Sequence, residues 1–164
     1  MVELNIGTDR TQNYKAMVSG VDGLIAGEPD VVANLANVSA LIHQYMDDIN
    51  WVGFYILKGD TLVLGPFQGK PACVRIAHGK GVCGAAATRQ ETVVVDDVHS
   101  FPGHIACDTA SNSEIVLPIY QNSQVYGVLD VDSPSFSRFG PKERTALEAI
   151  ASKLSAFLSA SGND

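Results

Sequence analysis

No stretch of this 164-residue chain approaches the roughly 20 consecutive apolar residues that a membrane-spanning helix requires. The opening residues, MVELNIGTDR, lack the apolar centre of a secretory leader. Basic residues are few. Eleven Lys and Arg against eighteen Asp and Glu leave a formal net charge of −7, with no basic cluster anywhere. Phosphate backbones are held by basic surfaces, so a nucleic acid is not an expected partner. Cysteine is scarce and odd in number: Cys73, Cys83 and Cys107 do not make a structural disulfide framework. CxxC and HExxH spacings are missing, so no metal site is expected, although His99, His104 and Cys107 lie near one another in the chain. The GKG at 79–81 lacks the spacing and the following Ser or Thr of a phosphate loop. No serine occupies a nucleophile elbow. These absences favour a cytoplasmic domain that needs neither metal nor membrane.

What the chain does have is apolar material, 46% of its residues, enough for a packed core in one domain spanning 1–164. A short, glycine-weakened helix is expected from Asn13 to Ile25. A longer one follows Asp30, a good N-cap, with Val32, Leu35, Val38, Leu41, Ile42 and Met46 as one apolar stripe. Two β-branched and aromatic runs flank Gly59-Asp60 and predict a hairpin over 51–68. A strand at 74–77, a small-residue helix at 82–88 and a strand at 92–95 come next. After an irregular stretch, EIVLPIY and VYGVLDVDS make two more strands. A final helix starts at Gly140-Pro141, and Leu147, Ile150, Ala151, Leu154 and Leu158 form its stripe. This order predicts an α+β fold, with the N- and C-terminal helices packed on one side of a central antiparallel sheet.

Three features carry chemistry. Cys107 stands in GHIACDTASNSEIV, a polar, turn-rich setting unlike that of an inert buried thiol. Asp130 and Asp132 alternate along a strand and so point to one side, where a positive charge is needed between them. Glu114 joins them only if the hairpin register allows. A two-residue loop at Asn122-Ser123 pairs Glu114 with Val131, on the wrong face, and a three-residue loop pairs it with Asp132. Trp51 and Tyr55 share a face of their strand and can wall a pocket for a small molecule. Cys83 lies at the start of the small-residue helix, where the dipole can depress a thiol pKa. A thiol, nearby carboxyl groups and further cysteines suit attack on an electrophilic sulfur. A sulfenic acid and then a disulfide would follow, reset by external thiols.

At these residues the chain resembles the free methionine-(R)-sulfoxide reductases, which are stand-alone GAF domains. The likeness covers residues 13–158 and rests on NWVGFYILKGDTLVLGPFQGKPACVRIAHGKGVCG, DDVHSFPGHIACDTASNSEIVLPI and GVLDVDSP. The cysteine triplet matches in order and spacing, ten residues and then twenty-four. The resemblance implies Cys107 as the nucleophile, with Cys73 preferred over Cys83 as the resolving cysteine. It implies Glu114 as a proton donor to the sulfoxide oxygen. It further implies a substrate site of Trp51, Tyr55, Ile105, Ala106, Glu114, Asp130 and Asp132. Thioredoxin is the implied reductant, a homodimer the implied assembly, and no cofactor is expected. The rival is a GAF module that binds a nucleotide or an amino acid as a sensor; such a module has no need of three cysteines at this spacing.

Overall fold

A computed structural model describes residues 3–105 and 107–162. Its spine is a six-stranded sheet in the order β3-β2-β1-β6-β5-β4, with every neighbouring pair antiparallel. The strands are β1 (Trp51–Lys58), β2 (Thr61–Gln68), β3 (Arg75–Ala77), β4 (Val93–Val95), β5 (Ser113–Gln121) and β6 (Gln124–Ser133). The helices are α1 (Arg10–Ile25), α2 (Val31–Tyr45), α3 (Gly81–Arg89) and α4 (Pro141–Ser161).

Strand alternation gives the sheet two differently used faces. Val52 and Phe54 of β1, Ile115, Leu117 and Ile119 of β5, and Leu129 and Val131 of β6 point toward α1, α2 and α4. They bury against Leu35, Val38 and Ile42 of α2 and Leu147, Ile150, Leu154 and Leu158 of α4. Each such side chain withdrawn from water contributes roughly 1.5–3 kcal/mol, which makes this the main core. The opposite face carries Trp51, Tyr55, Val116 and Val128, covered by α3 through Val82, Cys83 and Ala86. The site lies on this second face.

The expected elements are all present, with local differences. The Asp9 carboxylate caps α1 by accepting from the Thr11 N–H, so the helix begins ahead of Asn13. Asp30 caps α2, accepting from Ala33 N–H at 2.8 Å. Val32 is 66% exposed and stands outside the α2 stripe; Val31 packs in its place. In α4 the Gly140 N–H donates to Glu143 Oε1 at 2.9 Å, and Pro141 occupies the first turn, where no N–H partner is needed.

The hairpin register combines both expected possibilities. Gln121 pairs with Gln124 across a two-residue turn, Asn122 and Ser123, both with positive φ. A bulge then follows between Ile119 and Tyr120, leaving Tyr126 of β6 as the extra residue. Beyond it the register slips by one, and Glu114 lies opposite Asp132.

Candidate active site

β1 supplies the wall of a cavity between α3 and the sheet. Trp51 and Tyr55 are 2% exposed, and the Trp51 ring stacks between Tyr55 (6.0 Å) and Phe67 (5.2 Å). Gly53 makes that stack possible, since a Cβ there would collide with Phe67 and come within 2.8 Å of the Trp51 ring. The polar ends of both aromatic residues are anchored. Trp51 Nε1 donates to the Lys70 carbonyl at 3.1 Å, and Tyr55 Oη donates to the Cys73 carbonyl at 2.8 Å.

The floor is acidic. Glu114 from β5 and Asp130 and Asp132 from β6 converge on the same face, because the slipped register puts residues 114 and 132 opposite each other and 130 two positions along. All three line the cavity. Burial pushes each carboxyl pKa well above its ordinary value, and the neighbouring carboxylates push them further. Asp130 Oδ1 is buried with no hydrogen-bond partner. Three acids this close share protons, and a cation entering beside Asp130 and Asp132 would favour their ionised forms.

A cysteine pair stands at the cavity's edge, with Cys107 in its lining. A disulfide joins Cys73, in the loop after β2, to Cys107, in the irregular segment before β5, with Cα atoms 5.5 Å apart. Both are half-buried, and Cys107 lines the cavity. Cys83 is a free, buried thiol on α3. The expectation that the helix start would lower its pKa is wrong. Burial raises it well above the ordinary thiol value, and Asp130, Glu114 and Asp132 add to the effect, outweighing the dipole of a nine-residue helix.

Ile105 lines the cavity, and Ala106 lies outside the described residues. His104, weighed in the sequence only as a metal ligand, also lines it, as do Lys70, Lys80, Asp108 and Ser111, to which sequence reasoning gave no role. Burial lowers the His104 pKa. Gly81, with φ of 63° directly after Lys80, was the cue that this turn closes tightly on a neighbour, here Ile105. Cys83 Sγ and carboxylate oxygens of Glu114 and Asp130 lie within 4.8 Å of one another, a cluster that could admit an ion.

An acidic floor, an aromatic wall and a cysteine pair at the edge together fit a small zwitterion carrying a reducible centre. A GAF-domain family model matches residues 32–159. The free methionine-R-sulfoxide reductase of Escherichia coli K12 is 51% identical over 146 residues, covering 89% of this chain and 88% of that protein. The enzyme of the same name from Saccharomyces cerevisiae is 42% identical, covering 92% and 88%. The X-ray structure of the Neisseria meningitidis free methionine-R-sulfoxide reductase with its substrate superposes with a TM-score of 0.94. It is 40% identical and covers 99% of each chain.

Proposed function

This chain belongs to the GAF-domain family of the free methionine-R-sulfoxide reductases, and from that premise we propose that it reduces the R epimer of free methionine sulfoxide to methionine. The observation that carries the proposal is the Cys73–Cys107 disulfide at the edge of a cavity floored by three buried carboxyl groups. A sensor of amino acids would use the acidic floor too, but would have no task for the disulfide beside it.

The chemistry follows from the placement. The substrate's ammonium enters among Asp130, Asp132 and Glu114, where Asp130 Oδ1 awaits a donor. Its carboxylate is assigned to backbone N–H groups of the segment around Ile105, which lines the cavity. Its S-methyl arm lies along Trp51 and Tyr55. The Cys107 thiolate attacks the sulfoxide sulfur, and Glu114, whose buried carboxyl keeps its proton, donates to the sulfoxide oxygen. Methionine leaves, and the oxygen stays on Cys107 as a sulfenic acid. The Cys73 thiolate attacks the Cys107 sulfur, water departs, and the disulfide forms. A dithiol such as thioredoxin then exchanges with it, taking the oxidation and restoring both thiols. The sum is sulfoxide plus dithiol giving thioether, disulfide and water. A methionine sulfoxide inside a peptide has no ammonium and no carboxylate, so the floor favours the free amino acid. The enzyme is proposed to act as a cytoplasmic homodimer.

The direct test is turnover of pure R and S epimers with dithiothreitol, by wild type and by Cys107→Ser. The expected result is R-selective turnover that vanishes in the variant. A folded wild type that turns over neither epimer overturns the reading, and the sensor alternative then takes its place.

A further inference from the structure

Asn50, the residue just ahead of β1, reaches away from the cavity floor and into the segment that follows Cys107. Its Nδ2 donates to Asp108 Oδ2 at 2.9 Å and to Ser111 Oγ at 3.0 Å, while its own backbone N–H donates to the Asp132 carbonyl at 2.9 Å. The other oxygen of Asp108 accepts from the Ala110 N–H at 2.9 Å, so both carboxylate oxygens of the residue next to Cys107 are held. The same strand holds the second cysteine. Trp51 and Tyr55 bond to the carbonyls of Lys70 and Cys73, at 3.1 and 2.8 Å. Residues 50, 51 and 55 thus fasten both cysteine-bearing loops to a single rigid strand whose far edge is hydrogen-bonded to the carboxyl-bearing β6.

We propose that Asn50 is a positioning residue for the redox pair, the tie that holds Cys107 at the distance and angle from which it meets both Cys73 and the cavity. The proposal rests on the reductase reading for its effect on turnover, but not for its effect on the disulfide. A hydrogen bond to a charged acceptor is among the stronger side-chain ties, and losing one releases the loop to sample positions in which the two sulfurs are apart. Asn50 itself does not line the cavity, so its loss acts through its partners Asp108 and Ser111, which do, and through where Cys107 stands.

The test uses a polarity swap. Asn50→Ala removes the donor. Asn50→Asp sets a carboxylate against Asp108. Asn50→Asp combined with Asp108→Asn restores one donor and one acceptor, with the donor now on position 108. Two quantities are measured on each purified protein: the equilibrium of the Cys73–Cys107 dithiol and disulfide against reduced and oxidised glutathione, and kcat and KM for free methionine-R-sulfoxide. Asn50→Ala is expected to move the equilibrium toward the dithiol by about 10-fold and to lower kcat by a similar factor, with KM changing far less. Asn50→Asp is expected to be worse, and the double variant to recover most of both losses. A merely structural tie would move the melting temperature without this pattern of rescue. An unchanged glutathione equilibrium in Asn50→Ala, or a double variant as defective as Asn50→Asp alone, overturns the proposal. Should wild type fail to turn over substrate, the reductase reading falls while the glutathione equilibrium still decides the role of Asn50.

Discussion

Replacing Asp130 by Asn should make the protein more stable and the site weaker. Asp130 is 5% exposed and packed beside Glu114, Asp132 and the Cys83 thiol, with no basic side chain paired to them among the described residues. Its pKa is raised by burial first and by Asp132 second. A carboxyl whose folded pKa exceeds its unfolded value, about 3.9 for Asp, adds stability that is fully present at pH below the unfolded value. That contribution is lost as pH rises through the folded one. Wild type therefore loses stability from mildly acidic pH upward, and an amide of the same shape does not. Neutral replacements for buried charged groups often stabilise by about 1–4 kcal/mol. Taking about 1–2 kcal/mol of that range and the sensitivity of a domain this size, the melting temperature at pH 8 should rise by about 2–8 °C. The gap should close below about pH 4, where wild type is protonated too. The assay is thermal unfolding by circular dichroism from pH 4 to 8.5, both proteins in the disulfide form. KM for the sulfoxide should rise by at least about 10-fold as the ammonium loses a charged partner. An Asp130→Asn protein that melts at or below the wild-type temperature at pH 8, with a parallel pH profile, would refute the picture of an uncompensated acidic floor.

Tyr55→Phe removes the hydroxyl bonded to the Cys73 carbonyl; stability should fall by about 1 kcal/mol, and disulfide formation after a single turnover, followed by mass spectrometry, should slow. Gly53→Ala should disrupt the Trp51–Phe67 stack and cost about 1–3 kcal/mol, with substrate affinity falling in a binding titration. Cys83→Ala should leave steady-state turnover with thioredoxin close to wild type, because a buried thiol of raised pKa is a poor exchange partner; loss of turnover in a folded variant would hand the resolving role to Cys83. Arg138→Ala should unfold the protein under mild conditions, by about 3–5 kcal/mol, since this buried guanidinium bonds the Asp47 carbonyl and Tyr14 Oη and faces Glu143; urea denaturation would measure it.

How far the sequence spoke can be judged from particular residues. Asp30, Gly59-Asp60 and Gly140-Pro141 are local signals with local causes, and each marks the boundary it predicts. The alternation Leu129-Asp130-Val131-Asp132 gave the face of two carboxyl groups, because strand geometry alone decides it. Glu114 was undetermined because its position depends on an insertion elsewhere in the ladder, at Tyr126, which no nearby residue announces. The Cys83 error has a similar origin: a helix start is visible in sequence, but three acids brought over from β5 and β6 are not. Asn50 and Asp108, fifty-eight positions apart, meet only in the folded chain.

The bulge opposite Ile119 and Tyr120 also bears on how this hairpin can change length. Deleting Tyr126 would straighten the ladder and leave the two-residue turn intact, an apparent repair. The partners beyond it would not change: Gly127 would still meet Ile119 and Asp132 would still meet Glu114, so the three carboxyl groups would keep their face. A single deletion between Gln124 and Tyr126 should therefore be absorbed by loss of the bulge with the site kept, whereas deleting Val131 would put Asp130 and Asp132 on opposite faces.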